Sequence, residues 1–424
     1  MKRLLLLTAV LLPLCAGMLS AQPKRSERAA ALLREDNTRA GNNTNSYEFH
    51  PIVETPAPKG FKPVYVSHYG RHGSRSNWGD TSYKAVIDVL SQAKEAGLLT
   101  AGGDSLLNEV TRVLEGYDGM DGRLTQRGVR EHGLLAERLY DRYPAVFKGD
   151  RRVRAMSSTS QRCIISMNAF TVSLGKKNPD LQFRLDTGEK FMSYISYTPN
   201  YQQLTAGTSD IIRQAWEGVQ HDTTYVLRRL FTDPVAAHRF FRSADALQWN
   251  IMSAAEIAED FDIEENLYRF VPFDLIYEKW SRSNMSLYLQ HCNSVEFGEK
   301  RVPLARSLVQ DFVDKADEAL ADGTIAADLR FGHDYPIMTL AAYFGVEGVG
   351  DKLRADEIDD NWFGFQNICM ASNLQLVFYR NAAGETLVKF FYNEQERLLR
   401  GLAPYTGPYY LWDTVKANLQ GYLR

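Results

Sequence analysis

The chain has little cysteine, with 4 in 424 residues. Cys15 lies in the first apolar run, which leaves Cys163, Cys292 and Cys369 for the rest of the chain. An odd number of widely spaced cysteines specifies no disulfide framework, and no CxxC pair indicates a metal site. The sequence leaves their pairing state open, and we interpret the three as buried cysteines that behave as small apolar side chains.

The sequence also lacks an excess of charge of either sign. Its 49 lysines and arginines are matched by 52 aspartates and glutamates, a formal net charge of -3. Proteins that bind nucleic acid through a broad surface usually carry a strong basic balance, so we expect no nucleic-acid partner. Any anion site must therefore be a local cluster of cations.

Long apolar runs are missing after the first two dozen residues, so no membrane span is predicted there. The start reads Met1-Lys2-Arg3, followed by an apolar run to Leu14 and small residues up to Ala21. These are the three regions of a secretory signal peptide, and we predict that residues 1–21 form one. Such a peptide would direct export to the periplasm or the extracellular space, with cleavage near Ala21. A lipoprotein cysteine at Cys15 is the alternative, which the bulky Leu14 disfavours.

Hydrophobic periodicity divides the mature chain into three parts. Residues 22–50 are polar and turn-rich, and we interpret them as an N-terminal extension that lies over the body. Residues 51–187 and 325–424 alternate strands with helices, which is typical of an α/β core with a mixed, mainly parallel sheet flanked by helices. Residues 188–324 are predicted to be a mostly helical inserted subdomain, placed to cap the ligand edge of the sheet.

A hairpin is predicted near the C-terminus, from Leu374 to Tyr379 and from Leu387 to Tyr392. Its two strands must be antiparallel, which is why the sheet is expected to be mixed.

The first strand of the core runs into a turn crowded with cations, in the stretch V-Y-V-S-H-Y-G-R-H-G-S-R. Gly70 and Gly73 are expected to let the backbone turn sharply, while Arg71 and Arg75 flank His72. This arrangement predicts a phosphate pocket that contains a nucleophile.

Two later strand ends add side chains of the same kind. Arg162 falls in the first turn of a helix, where a bound anion would offset its unfavourable place in the helix dipole. His333 and Asp334 follow a third strand. We expect Pro336 at the first helical position there, with Tyr335 outside the helix.

The carboxyl ends of parallel strands share one edge of a sheet, so these three groups are expected to converge. Arginine forks match phosphate oxygens, and a neutral imidazole can attack phosphorus to give a phosphohistidine. Asp334 would protonate the departing alkoxide and then position a water molecule. A non-catalytic protein that binds phosphate esters is the alternative from another class, although arginines alone would suffice for binding.

These motifs resemble, in order and over nearly the whole mature chain, those of the histidine acid phosphatases, the second branch of the histidine phosphatase superfamily. They are R-H-G-S-R at 71–75, L-T-Q-R-G at 124–128, S-S-T-S-Q-R ending at Arg162, and H-D at 333–334. The resemblance implies an α/β core with a helical subdomain, no metal or cofactor, and a phosphohistidine intermediate. It makes His72 the nucleophile and Asp334 the proton donor, with a phosphate pocket of Arg71, Arg75, Arg162 and His333.

The opening motif is further similar to that of multiple inositol polyphosphate phosphatases and histidine acid phytases. The resemblance makes an inositol polyphosphate such as phytate the first candidate substrate. The chain departs from the former subgroup at residues 333–335, where H-D-Y replaces the usual H-A-E, so sugar phosphates and other small monoesters stay open as the alternative. Lys84, Arg184 and Lys190 are candidates for further substrate contacts, and they are equally interpretable as surface charges.

A zinc site is the competing interpretation, because His68 and His72 have H-x-x-x-H spacing. The zincin motif also needs a glutamate after the first histidine and a continuous helix, which the glycines here break. We therefore predict no metal and interpret His68 as structural. The remaining histidines, among them His132 and His291, show no constellation and are interpreted as surface or core residues. The oligomeric state is not specified by the sequence.

Overall fold

The computed structural model of the protein describes residues 25–197 and 201–423, so the predicted signal peptide lies outside the described residues. The strands are β1 (Lys62–Arg71), β2 (Arg152–Ser157), β3 (Gln182–Thr187), β4 (Ile325–Gly332), β5 (Asn373–Arg380), β6 (Thr386–Tyr392), β7 (Gln395–Arg397) and β8 (Tyr409–Leu411). They form one sheet in the order β3-β2-β4-β1-β5-β6-β7, and β8 pairs with β6.

Helices surround this sheet and build most of the middle of the chain. They are α1 (Glu27–Glu35), α2 (Thr81–Glu95), α3 (Ala101–Tyr117), α4 (Gln126–Arg142), α5 (Gln161–Lys177), α6 (Glu189–Ile195), α7 (Tyr201–Thr205), α8 (Thr208–Ala215), α9 (Thr224–Leu230), α10 (Pro234–Ala237), α11 (Ala244–Ala258), α12 (Phe273–His291), α13 (Gly298–Arg301), α14 (Arg306–Asp322), α15 (Asp334–Phe344), α16 (Ile358–Asn361), α17 (Gly364–Asn367) and α18 (Trp412–Leu423). Short 3₁₀ segments include Asn37–Thr44 and Glu259–Phe261. None of the helices within the described residues is long and apolar enough to cross a membrane.

The sheet is mixed, as predicted. The pairs β1·β4, β2·β4 and β2·β3 are parallel, whereas β5 joins β1 and β6 in antiparallel fashion. The β5–β6 pairing confirms the predicted hairpin. The parallel half of the sheet brings the carboxyl ends of β1, β2 and β4 to one edge.

Both faces of the sheet are covered by helices. Val66 packs with α4 and α5, whereas its neighbour Tyr65 packs with α14, α15 and α18. This alternation follows from the two-residue period of a strand. Thr125 caps α4 as predicted, because its side chain accepts a hydrogen bond from the Gly128 amide.

A third apolar cluster joins α11 and α12 to residues of α1, α2 and α3. Apolar contacts thus connect the middle of the chain with earlier helices, and α14 packs on the sheet. The predicted domain bounds, residues 51–187 with 325–424 and residues 188–324, stay a prediction.

Two local predictions are wrong. Gly70 is not in a turn: it lies within β1, opposite Phe331 of β4 and Asn373 of β5. A side chain at Gly70 would collide with His68, because a Cβ there would lie 2.8 Å from its Nε2 atom. Pro336 is not the first helical residue and Tyr335 is not outside the helix, since α15 begins at Asp334 with His333 as its N-cap.

Candidate active site

The ends of β1, β2 and β4 lie side by side and open into one cavity. Arg71 pairs with Gly332 at the end of β1 and β4, and Ser157 pairs with Phe331 at the end of β2 and β4. The cavity has a volume of about 590 Å³. Its lining residues come from five parts of the chain: Asn43, His72, Arg75, Trp78, Arg162, Ser283, Ser286, Leu287, Gln290, His291, His333, Asp334 and Tyr335.

The loop after β1 is held in place by hydrogen bonds to a buried carboxylate on α4. Glu131 of α4 accepts hydrogen bonds from the Ser74 amide at 2.7 Å, the Ser74 hydroxyl at 2.7 Å and the Tyr47 amide at 3.0 Å. Burial raises the pKa of Glu131 above its ordinary value. Gly73 lets the loop approach α4 closely, because a Cβ there would lie 2.6 Å from the Gly128 carbonyl oxygen. These contacts fix the backbone that presents the histidine.

His72 is presented as a neutral nucleophile with one nitrogen free. Its Nδ1 atom lies 2.9 Å from the Gly73 carbonyl oxygen. A carbonyl oxygen only accepts hydrogen bonds, so Nδ1 bears the proton and Nε2 keeps its lone pair. Burial, with Arg71 and Arg162 nearby, lowers the pKa of His72 well below its ordinary value. The ring is therefore neutral at neutral and mildly acidic pH, with its single proton on Nδ1.

Three arginines surround this ring. Arg71 is fully buried, and its NH1 donates to the carbonyl oxygens of Asn43 and Ile368. Buried nitrogens on each guanidinium have no hydrogen-bond partner: Nε and NH2 of Arg71, Nε of Arg75 and Nε of Arg162. Burial lowers the pKa of Arg75 to about 10. Unsatisfied buried donors on charged groups are costly, and an anion with several oxygens would satisfy them.

Trp78 lies against two of these arginines at the edge of the cavity. Its ring is 4.9 Å from the Arg75 guanidinium carbon and 4.8 Å from that of Arg162. Gly122 supports the ring, because a Cβ there would lie 2.6 Å from the indole. The indole is 62% exposed, so it forms part of the entrance.

His333 is anchored on both sides. Its Nε2 lies 3.0 Å from the Ser158 hydroxyl, and its Nδ1 lies 3.2 Å from NH2 of Arg162. An arginine can only donate, so Nδ1 accepts and Nε2 bears the proton. Burial, followed by the charge of Arg162, lowers the pKa of His333 to about 3. His333 thus holds Arg162 in place, and its ring centre is 5.7 Å from that of His72.

Asp334 is the one carboxyl group among the described lining residues. Its Oδ2 lies 3.3 Å from NH2 of Arg71 and accepts a hydrogen bond from the Asn43 amide at 3.0 Å. Burial opposes its ionisation, yet Arg71, His291 and His333 hold the pKa of Asp334 well below its usual range. The carboxyl group is therefore ionised in the free protein and gains a proton readily only when the cations beside it are neutralised.

The structure brings all six predicted catalytic and phosphate-binding residues together. Five of them line the cavity, and Arg71 lies directly behind it against Asp334. The three additional cations do not line it. Lys84 pairs with Asp80, Arg184 pairs with Asp186, and Lys190 is stacked on Phe191. Their role in substrate contact stays a prediction.

Several lining residues were missed by the sequence reasoning. His291 was interpreted as a surface or core residue, but it lies in the cavity wall, where burial lowers its pKa to about 4. Asn43 belongs to the presumed extension and gave no sequence signal. Trp78 could have been noticed, because a large aromatic side chain in a polar turn shortly after the nucleophile is unusual.

The structure also shows the surroundings of the three cysteines and of His68. Cys163, Cys292 and Cys369 are buried and unpaired. Among the residues that the structure describes, no group of three or more histidine, cysteine, aspartate or glutamate side chains could hold a metal ion. His68 is buried against Phe170 and Phe331, which fits a structural residue.

Comparison with known proteins gives matches at the level of structure. No family model and no curated protein sequence matches the chain. The multiple inositol polyphosphate phosphatase of Bifidobacterium longum, solved with phosphate, superposes with a TM-score of 0.71 at 18% identity over 90% of this chain and 97% of that one. The same enzyme, solved with inositol hexasulfate, gives a TM-score of 0.68 at 18% identity, again over 90% of this chain and 97% of that one. The phytase of D. castellii gives a TM-score of 0.70 at 13% identity, over 91% of this chain and 85% of that one. The predicted fold is thereby confirmed.

Proposed function

We propose that the protein hydrolyses phosphate monoesters through a covalent phosphohistidine on His72. The observation that supports this most directly is the pairing of a neutral histidine, whose Nε2 is free, with three arginines that each have a buried, unsatisfied nitrogen donor. A binding protein would need the arginines but not the nucleophile or the acid opposite it. The fold is shared with known phosphatases and phytases, which agrees with this reaction.

In the first step, the lone pair on Nε2 of His72 attacks phosphorus and forms the P–N bond while the P–O ester bond breaks. The arginines stabilise the charge on the equatorial oxygens. Asp334 is protonated once the phosphate dianion has neutralised the nearby cations, and it gives this proton to the leaving oxygen. The products of the step are the alcohol and phosphohistidine.

In the second step, ionised Asp334 accepts a proton from a water molecule while the water oxygen attacks phosphorus. The P–N bond breaks, its electron pair returns to Nε2, and inorganic phosphate is released. One carboxyl group thus serves first as acid and then as base. It loses its new proton to solvent when phosphate leaves, which returns the site to its starting state.

Inositol polyphosphates such as phytate are the first candidate substrates, because the structurally similar Bifidobacterium longum enzyme acts on inositol polyphosphates and was solved with inositol hexasulfate. Small monoesters such as sugar phosphates are the second candidate. One observation favours them: beyond Arg75 and Arg162, the described lining contains no lysine or arginine for further phosphates. We place the reaction outside the cytoplasm on the strength of the predicted signal peptide, residues 1–21.

Phosphate release from phytate, sugar phosphates, nucleotides and 4-nitrophenyl phosphate, measured between pH 4 and 7.5, tests this proposal. His72→Ala is expected to abolish release while inorganic phosphate still raises the melting temperature of the variant. Absence of release from every ester by the wild-type protein would refute the enzymatic function and leave binding alone.

A further inference from the structure

The segment before β1 is locked into the body rather than laid over it. Asn42 is fully buried at φ 58°, and its amide donates to the Ser283 hydroxyl of α12 at 3.1 Å. Its side chain also meets the backbone of Gly364, where a Cβ would collide with it. A residue held in a left-handed conformation by contacts on two sides fixes the direction of the residue that follows.

That following residue is Asn43, which contacts both members of the ion pair between Asp334 and Arg71. Its side-chain amide donates to Oδ2 of Asp334 at 3.0 Å. Its main-chain carbonyl oxygen accepts a hydrogen bond from NH1 of Arg71 at 2.5 Å. Asn43 also lines the cavity. A residue 291 positions away in the sequence therefore forms part of the active site.

We propose that Asn43 is a positioning residue for the proton transfer to the leaving group, an inference that rests on the proposed phosphatase function. The amide holds Oδ2 in one orientation, while the Tyr335 main-chain amide holds Oδ1 at 2.9 Å. Without Asn43, the side-chain partner of Oδ2 is Arg71, the same guanidinium that must turn toward phosphate. The carboxyl group would then move with the Arg71 side chain and would no longer be oriented toward the leaving oxygen.

This role differs from that of a phosphate ligand. The Asn43 amide donates its hydrogen bond to Asp334 and not to phosphate. Removal of the amide should therefore leave phosphate binding intact and slow the step in which Asp334 acts as the acid. An N–H donor also favours the ionised carboxylate, so its removal should raise the pKa of the acid. Among the described residues, the other charged or titratable groups near Asp334 include Arg71, His72, Arg75, Arg162, Cys163, Tyr197, His291, His333 and Tyr335.

The test compares Asn43→Ala with Asn45→Ala. Asn45 belongs to the same segment, but its amide donates to the Thr38 carbonyl oxygen at 2.9 Å and not to Asp334. Each variant is assayed with an alkyl ester, glycerol 2-phosphate, and with 4-nitrophenyl phosphate, whose leaving group hardly needs a proton. Calorimetry with inorganic phosphate and thermal melting show whether the pocket and the fold survive.

Asn43→Ala is expected to lower kcat on the alkyl ester by about tenfold or more, a fraction of what a general acid supplies. It should leave kcat on the aryl ester and the affinity for phosphate within about threefold. The alkaline limb of kcat should move to higher pH. Asn45→Ala should show none of these changes.

Asn43→Asp provides a second variant of the same size. Its carboxylate would face Asp334, and like charges raise the pKa of the acid further. The alkaline limb should therefore move in the same direction as in Asn43→Ala, and farther.

Equal losses on both esters, an unchanged alkyl rate, or the same pattern in Asn45→Ala would overturn the inference while the phosphatase function stands. Wild-type protein that hydrolyses neither ester would overturn both.

Discussion

Replacing Asp334 by asparagine isolates the proton-transfer step. No other carboxyl group is present among the described lining residues. The neighbouring histidines, with pKa values of about 4 for His291 and about 3 for His333, are neutral near pH 6 and are poor acids. Nothing nearby can thus replace the lost carboxyl group.

General acid catalysis contributes about 10²–10⁴-fold, so kcat on an alkyl phosphate should fall by about 10²–10³-fold in Asp334→Asn. With an aryl phosphate the loss should stay below about tenfold, because its leaving group is stable as an anion. The assay is phosphate release from glycerol 2-phosphate and 4-nitrophenyl phosphate at one pH.

The same substitution should tighten the binding of inorganic phosphate. Asp334 lies 3.3 Å from NH2 of Arg71, the arginine that phosphate must share. A phosphate charge roughly 5 Å from the carboxylate would be repelled by about 3 kcal/mol at an effective dielectric constant of about 20. Removal of that charge should lower the dissociation constant by about tenfold or more.

Proton uptake gives an independent measure of this coupling. Because the pKa of Asp334 is well below its usual range in the free protein, phosphate binding to the wild type should take up a proton. Calorimetry in two buffers of different ionisation enthalpy should show less uptake for Asp334→Asn.

Equal losses of activity on both esters in Asp334→Asn, or weaker binding of phosphate, would refute the role of Asp334 as the acid. Asp210→Asn is the matched control, because that exposed carboxylate pairs with Arg213 and should change neither quantity.

Two further predictions concern the buried histidines and the absence of a metal. Burial lowers the pKa of His68 and His132 to about 3. As the pH falls below about 6.5, these histidines are therefore protonated in the unfolded chain while they are still neutral in the folded one. The folded state thus loses stability as the pH falls from about 6.5 toward 3. His132→Gln should reduce the loss of unfolding free energy between pH 6.5 and 5 by about 1–2 kcal/mol, measured by urea denaturation; an unchanged loss contradicts the assignment of neutral buried histidine. Prolonged EDTA treatment should leave phosphatase activity unchanged, whereas inactivation that zinc restores would contradict the metal-free site.

Much of the site could be predicted from the sequence, because its main parts are local. Each strand is a short apolar run, and each is followed directly by the side chains that matter. Parallel pairing then brings Arg71 beside Gly332, and with it His72 beside His333, without further information. Cationic or acid–base side chains at three strand ends were therefore enough to predict their convergence.

The rest depends on contacts between distant parts of the chain. Asn43 lies in a polar stretch without periodicity, and its importance arises only from the meeting with Asp334. Gly70 resembles a turn glycine, yet it lies in a strand, where the lack of a Cβ leaves space for the His68 ring. His291 became a lining residue through the packing of α12, which no local pattern specifies.

Trapping of the covalent intermediate is the most direct test of the phosphohistidine mechanism. Wild-type protein is mixed with a ³²P-labelled monoester, quenched rapidly in alkaline denaturant and digested. We predict label on the peptide that contains His72, stable in alkali and labile in acid, and none in His72→Ala. Turnover without labelled protein, or label on another residue, would contradict the account.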